Sequence, residues 1–360
     1  ATGRSRIVDW PPEMEPLRPY FAREDRSPFA LFHHYRRYGY SYSHLVNRAR
    51  RARPWLVGVS SLFTAYQAEA RRTVELLKAA IPDGRMVVGG HHATVRPHEV
   101  LAWPGVDFVL RGDGEAGLPA LARAVRRGRV VESVPGLAFR QSDGRLRINA
   151  AAQISRPFPP ALHLVDRRFY SRRRLPATVV AASRGCPLTC SYCCFGALSA
   201  VRYRRRELGD VLAEIESALG PKRSGFVDFE DENLSLDRRW FHGLLRAIEQ
   251  RYGPGRIELR AMNGLLPTTL DDQTVALMKA AGFRTLNLSL GSTCRRQLAR
   301  FRRPDVRAAF DRCLEMAAAN GLQAVGYVIA GAPGQSAAGS LTDLLYLLTR
   351  RVLAAVSIYY

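Results

Sequence analysis

The sequence predicts an α/β protein of two domains, an open parallel sheet followed by a partial parallel βα barrel. Three observations predict it. Short apolar runs alternate with helix-spaced segments from residue 55 to residue 127. The rhythm breaks over 130–176. A second, longer series then starts at Ala177. The boundaries read as 1–129 for the first domain, 130–176 for a hairpin and linker, and 177–360 for the barrel.

The length of 360 residues agrees with two or three domains. A hydrophobic fraction of 47% is that of a globular chain, too rich for a disordered one. No apolar run reaches the ~18 residues of a transmembrane helix. The N-terminal ATGRSRIVDW lacks the charged-then-apolar layout of a signal peptide, so a soluble cytoplasmic protein is expected. Lys and Arg number 54 against 32 Asp and Glu, a net charge of +22, yet the only lysines are Lys78, Lys222 and Lys279. Arginine is scattered through every segment, whereas a nucleic-acid binder concentrates charge on one face. The basic surface reads as attractive to anions in general. The chain starts without Met and stops at VSIYY, a buried-strand pattern with nothing to cover it, so the natural protein is expected to continue.

Residues 1–50 are aromatic, Arg-rich and weakly patterned, with RIVDW (6–10) a short strand. Trp55–Val59 is an apolar run closed by Ser60-Ser61. Residues 66–81 carry helical spacing in Ala70, Val74, Leu77, Ala80 and Ile81. Met86–Val88 ends at Gly89-Gly90, a short helix follows Pro97, and Val106–Leu110 is a third run. Arg111-Gly112-Asp113-Gly114-Glu115 leads into a helix through residue 127. Strands alternating with helices imply a parallel sheet covered on both faces. SDGR (142–145) turns a small hairpin between VPGLAFR and LRINA. RPFPP (156–160) and the Arg-rich 167–174 read as linker.

In the second series, strands are expected at 177–182, 225–230, 257–261, 285–290, 323–329 and 354–359. Helices are expected at 206–218, 237–251, 271–280, 304–319 and 340–350. Barrels of this kind place their chemistry at the C-terminal ends of the strands.

Four of the six cysteines fall within nine residues, behind the first barrel strand: Cys186, Cys190, Cys193 and Cys194. Cys186-Pro187-Leu188-Thr189-Cys190-Ser191-Tyr192-Cys193 has the spacing C-x3-C-x2-C. A secreted disulfide framework would space its cysteines out. A structural zinc would present two paired ligand sets, and Cys294 and Cys313 are isolated. Three thiolates on one loop can hold an iron–sulfur cube, which normally takes four, and so leave one iron open.

Here the sequence resembles the radical S-adenosylmethionine (SAM) superfamily, whose signature is C-x3-C-x-aromatic-C, with Tyr192 in the aromatic slot. The resemblance implies a [4Fe–4S] cluster on Cys186, Cys190 and Cys193, with SAM chelated at the open iron and cleaved to a 5′-deoxyadenosyl radical. Cys194 reads as a buried small residue rather than a ligand. The resemblance also implies further SAM contacts. Glu230 or Asp231, in Asp228-Phe229-Glu230-Asp231-Glu232-Asn233, would meet the amino group. Asn287 and Ser289 would meet the ribose or carboxylate, with Arg260 and Asn263 as weaker candidates. The Gly326–Gln335 segment, through Gly331 and Ala332, would pack on adenine. Ser289-Leu290-Gly291-Ser292 departs from the family's Glu-Ser-Gly-Ser.

Ser60–Thr64, Val88–Thr94 and Arg111–Glu115 all lie just past strands, where open parallel sheets bind ligands. In this order, ahead of such a barrel, they resemble the Rossmann-like or flavodoxin-like cobalamin-binding domain of cobalamin-dependent radical SAM enzymes. The implied cobalamin contacts are Ser60, Ser61, Leu62, Thr64, Gly89, Gly90, His91, Arg111, Gly112 and Glu115. Asp-x-His-x-x-Gly, the source of a lower histidine ligand elsewhere, is absent, and His91-His92 also reads as a polar loop pair.

The expected function is a cobalamin-dependent radical SAM methyltransferase acting on unactivated carbon. A cyclase, oxidase or rearrangement enzyme of the same domains is the alternative. A basic nucleic-acid-binding or tRNA-modifying protein is a third. The expected partners are a small-molecule or natural-product substrate and an electron donor such as flavodoxin or ferredoxin.

Overall fold

The structure is a computed structural model that describes residues 40–155, 159–164, 170–172, 175–197, 203–220 and 224–359. The expected strand at 6–10 and most of the Arg-rich stretch 167–174 lie outside the described residues. Contacts divide the chain into two compact units, with the division after Ser155.

The first unit runs α1 (Tyr42–Ala52), β1 (Leu56–Ser60), α2 (Gln67–Ala80), β2 (Arg85–Gly89), α3 (His91–Val95), α4 (Pro97–Leu101), β3 (Phe108–Leu110), α5 (Gly114–Arg126), β4 (Leu137–Arg140) and β5 (Leu146–Ile148). The sheet order is β1-β2-β3-β4-β5, parallel from β1 to β3 and antiparallel beyond. Alternation along the strands fills two faces. Met86, Val88 and Val109 pack with Val74, Leu77, Val100 and Trp103, and Val87, Leu110 and Leu137 pack with Leu121. The hairpin expected as part of the segment between domains is thus hydrogen-bonded onto the edge of this sheet. Its apolar Leu137-Ala138-Phe139, buried on both sides, explains why. Helix α1 was not expected. Its basic surface leaves Ala49 as its one buried residue, too little for a periodicity signal, although Ser41 caps it by accepting the His44 N–H at 3.2 Å.

The second unit runs β6 (Ser171–Arg172), β7 (Leu175–Val180), β8 (Ser183–Arg184), α6 (Cys194–Ala197), β9 (Arg204–Arg205), α7 (Leu208–Leu219), β10 (Gly225–Phe229), α8 (Arg238–Tyr252), β11 (Ile257–Arg260), α9 (Asp272–Ala281), β12 (Thr285–Gly291), α10 (Arg295–Phe301), α11 (Arg307–Ala319), β13 (Gln323–Ala330), α12 (Ala337–Leu348) and β14 (Leu353–Ile358). Strands β7, β10 and β11 form one parallel set, and β12, β13 and β14 another. Single bridges at Leu259–Phe283 and Leu265–Leu288 join the two into an open arc of six strands.

Val180, Val227, Phe229, Leu259, Leu286, Leu288 and Val328 point outward into one core with the helices. The alternate residues Asp228, Arg260, Ser289 and Tyr327 therefore face the inner side. Aspartate and serine caps start α8, α9 and α12: Asp237 accepts the Trp240 N–H at 2.9 Å, Asp271 that of Thr274 at 2.8 Å, and Ser336 that of Gly339 at 3.0 Å. All six expected barrel strands are present. The seven-residue α10 was not expected, because Leu298 and Phe301 alone make no pattern. Among the described residues, no helix is long and apolar enough to cross a membrane.

Candidate functional site

Two sites form at the C-terminal ends of parallel strands, one in each unit. In the first unit the loop after β1 and the turn after β2 interlock through backbone. Ser61 N–H donates to the Gly89 carbonyl at 2.7 Å, and His92 N–H to the Ser61 carbonyl at 3.2 Å. Gly90 sits at φ 107°, and a Cβ there would lie 2.5 Å from the Ser61 oxygen, so only glycine fits. Thr94 accepts the Gly112 N–H on its hydroxyl at 3.0 Å and donates that hydroxyl to the Gly90 carbonyl at 2.8 Å. This brings the third expected segment to the same sheet end.

Arg111 is turned to structural use: its guanidinium donates to the carbonyls of Thr94 and Asn149, at 3.2 and 2.7 Å. Burial pulls its pKa down. Glu115 lies at the start of α5. The histidines are not a loop pair. They open α3, and burial lowers the pKa of both. His92 is buried, stacks on Trp103 at 5.8 Å, and pairs its Nδ1 with the Thr64 hydroxyl at 3.1 Å.

Two buried polar atoms here lack partners, Ser61 Oγ and His92 Nε2, which buried groups rarely do. Leu62, Phe63 and Tyr66 beside them are exposed. A glycine turn packed on the Ser61 loop, orphaned polar atoms and exposed apolar side chains fit a large amphipathic cofactor such as cobalamin.

In the second unit the cysteine loop runs from β8 to α6. Cys190 is buried, and Cys186 and Cys193 are half-buried. Burial pushes the Cys186 thiol up. Hydrogen bonds from the Leu188 backbone and the Asn233 side chain oppose this, and the neighbouring Cys193 and Cys190 add to it. Three thiols close enough to repel as thiolates fit the cationic irons of a cluster. Among the described residues, no His, Cys, Asp or Glu group converges around a single metal ion. A cube spreads its sulfur ligands over separate corners and does not need that convergence. Cys194 hydrogen-bonds Cys193, which raises its pKa ahead of burial and leaves it a neighbour of the ligand set.

The acidic segment after β10 divides its labour. Asp231 is buried and spends both oxygens on the strand exit: it accepts the backbone N–H groups of Ala182, at 3.1 Å, and Ser183, and the Ser183 hydroxyl at 2.5 Å. Burial raises its pKa to about 7 against these bonds. Glu232 accepts the Gly185 N–H at 2.8 Å, one residue before Cys186. Of the two carboxylates expected at the SAM amino group, Glu230 is the one not committed to this backbone, and it takes a hydrogen bond from Asn263. Arg260 forms an ion pair with Asp228 across the β10–β11 register. Asn287 donates to the Ala261 carbonyl at 3.0 Å and so braces the crossing from β11 to β12.

Ser289 accepts from Arg303 through its carbonyl and hydroxyl, at 2.6 and 3.0 Å. The other guanidinium nitrogen of Arg303 reaches the Tyr192 hydroxyl at 2.6 Å. Burial pushes that phenol up to about 12, with Arg303 opposing. After β13, Gln335 folds the loop carrying Gly331 and Ala332: its side chain accepts the Ala332 N–H at 3.1 Å and donates to the Ile329 carbonyl at 2.9 Å. Arg300 and Arg303 were not singled out from the sequence. Both lie on or just past the short α10, in an arginine-rich stretch where no single arginine stands out.

Comparison with known proteins agrees with this layout. The B12 binding domain family matches residues 35–122, and the Radical SAM superfamily matches residues 180–339. Anaerobic magnesium-protoporphyrin IX monomethyl ester cyclase of Cereibacter sphaeroides is 26% identical over 72% of this chain and 43% of its own length. Cytidylyl-2-hydroxyethylphosphonate methyltransferase of Streptomyces wedmorensis is 22% identical over 82% and 61%. This chain thus spans about half the length of curated relatives it matches. Among solved structures, the radical SAM methyltransferase TsrM of Kitasatospora setae superposes with TM-score 0.70 at 22% identity, covering 88% of this chain and 65% of that one. The cobalamin-dependent SAM radical enzyme OxsB superposes with TM-score 0.68 at 14% identity, covering 89% and 47%. The chain thus carries a B12-binding domain ahead of a radical SAM domain.

Proposed function

We propose that the protein is a cobalamin-dependent radical SAM methyltransferase that methylates an unactivated carbon of a small molecule or natural product. The observation that carries this reading is one chain holding both a three-thiol loop after the first barrel strand and a glycine turn after β2 with two orphaned buried polar atoms beside it. With cluster, SAM and cobalamin bound, the chemistry supplied is reductive cleavage of SAM to a 5′-deoxyadenosyl radical and delivery of a methyl group.

The chain's own residues bind and orient. Cys186, Cys190 and Cys193 would hold three irons of the cluster, and Asp231 and Glu232 fix the backbone that leads into them. Glu230 offers a carboxylate to the SAM ammonium, a charge-assisted contact. Gly331 and Ala332, in the loop shaped by Gln335, present backbone to adenine. Ser60, Ser61, Leu62, Thr64, Gly89 and Gly90 would line the cobalamin side. Arg111 and Gly112 support that turn from behind.

An electron donor such as flavodoxin or ferredoxin supplies the reducing electron. The net charge of +22 favours an acidic protein in that role. A cytoplasmic setting follows from such a donor and from the oxygen sensitivity of an open-iron cluster.

The cyclase relatives support a second reading, radical chemistry without methyl transfer. Stoichiometry separates the two. Protein reconstituted with iron, sulfide and hydroxocobalamin, then reduced and given SAM, should form 5′-deoxyadenosine and about one equivalent of S-adenosylhomocysteine per bound cobalamin, the reduced cobalamin being the methyl acceptor when no substrate is present. 5′-Deoxyadenosine with no S-adenosylhomocysteine favours the second reading. Neither product above a Cys186→Ala control contradicts both.

A further inference from the structure

We propose that Arg303 is a positioning residue that sets the cysteine loop and the end of β12 as one unit, so that SAM meets both in register. The inference rests on the radical SAM reading above and adds to it a residue outside every motif. One guanidinium joins two separate stretches, the Tyr192 hydroxyl on the cysteine loop and the carbonyl and hydroxyl of Ser289 on β12. Gly291 makes room for it. That residue sits at φ 84°, and a Cβ there would lie 3.2 Å from both Cδ and Nε of Arg303.

The rest of the same turn acts alongside. Ser191 donates its N–H to the Phe301 carbonyl at 3.1 Å and its hydroxyl to the Arg300 carbonyl at 2.6 Å. Tyr192 packs edge-on against Phe301 at 4.9 Å between centroids. Arg300 donates to the Gly334 carbonyl in the loop after β13. Residues 300–303 therefore touch the three places to which the sequence assigns cluster, SAM carboxylate or ribose, and adenine.

Two features mark Arg303 as more than a fold contact. Among the described residues its hydrogen-bond partners are a phenol, a carbonyl and a hydroxyl, all neutral, so no carboxylate offsets its charge. Its Nε is buried with no acceptor. Unsatisfied nitrogens alone do not set it apart, since Nε and Nη2 of Arg206 are also without acceptors, but a guanidinium placed only for stability would be paired with a carboxylate, as Arg206 is with Glu214. Here its free charge and donor stand beside the loop that carries thiolates.

The test uses Arg303→Gln, Arg303→Lys, Tyr192→Phe and the Arg303→Gln/Tyr192→Phe double variant. Iron content, thermal midpoint, and SAM affinity read from the change in the reduced-cluster EPR signal are measured on each. Hydrogen exchange over residues 186–193 is measured on cluster-free protein. The expected result is unchanged iron content, SAM affinity about tenfold weaker in Arg303→Gln, partial recovery in Arg303→Lys, and faster exchange of the loop. The phenol bonds both that guanidinium and the Cys190 thiol, so the double variant should lose no more SAM affinity than the two single variants together, the shared Arg303–Tyr192 bond being lost once. Unchanged SAM affinity and exchange, or a lowered thermal midpoint with SAM affinity intact, overturns the proposal. If wild-type protein takes up no iron, the radical SAM reading has failed, and the exchange comparison still decides the role of Arg303.

Discussion

The turn after β2 and the loop after β7 hold equivalent places, each at the carboxyl end of a parallel strand, and are held in opposite ways. The Gly89-Gly90 turn is fixed from close by, through the backbone of Ser61 and His92 and the Thr94 hydroxyl, with Ser61 Oγ and His92 Nε2 left over. The cysteine loop is fixed by side chains from remote elements: Asp231 and Glu232 after β10, Arg206 after β9 and Arg303 after α10. Backbone packing there leaves Leu62, Phe63 and Tyr66 exposed beside the turn. A side-chain brace leaves the loop's own thiols free while fixing where they sit.

This difference can be broken from either side. The largest effect is expected at Arg206, whose ion pair with Glu214 is buried, 4% and 2% exposed at the side chains. Burial raises the Glu214 pKa even so, with Arg206 opposing. Arg206 also bonds backbone at Ala181 and Ala182, at 3.2 and 3.0 Å. Arg206→Met strands a buried carboxylate and should destabilise the second unit by about 3–5 kcal/mol, measured by urea unfolding.

Next comes Asp231→Ala, which orphans two buried N–H groups and should cost roughly 3 kcal/mol with loss of iron uptake. Asp231→Asn refines this by pH. Burial lifts the Asp231 pKa from 3.8 to about 7, so the folded state holds its proton more tightly than the unfolded chain. That contribution is full below 3.8 and is lost as pH rises through 7. Thermal midpoints should therefore show wild type losing ground to Asp231→Asn across that window, and a flat difference contradicts the assignment.

On the other side of the comparison, Gly90→Ala forces a Cβ onto the Ser61 carbonyl at a backbone angle foreign to alanine. It should cost about 2 kcal/mol and lower cobalt retention with iron content intact. The smallest effect belongs to Cys194→Ala. The Cys194 thiol hydrogen-bonds Cys193 without completing the ligand set, so iron per chain should match wild type, and a loss of one iron would make it a ligand.

The same contrast explains what was legible in the sequence. Ser60-Ser61, Gly89-Gly90 and the cysteine loop are short contiguous motifs whose residue types state their own needs, and the barrel strands carry long apolar patterns. Asp231 and Glu230 are adjacent in sequence, and only folding shows that one clamps Ser183 while the other faces Asn263. Arg303 had no such signal: its role comes from an interaction spanning 111 residues to Tyr192, and arginine is too common in this chain to stand out. His92 looked polar because its burial against Trp103 depends on a helix of five residues.

The most direct test of the central claim, one chain with a cluster loop and a cobalamin cradle, is metal content after anaerobic reconstitution with iron, sulfide and hydroxocobalamin. About four irons and one cobalt per chain are expected, with cobalt lowered in Gly90→Ala and iron lost in Cys186→Ala. Iron no higher than in the Cys186→Ala control would contradict it.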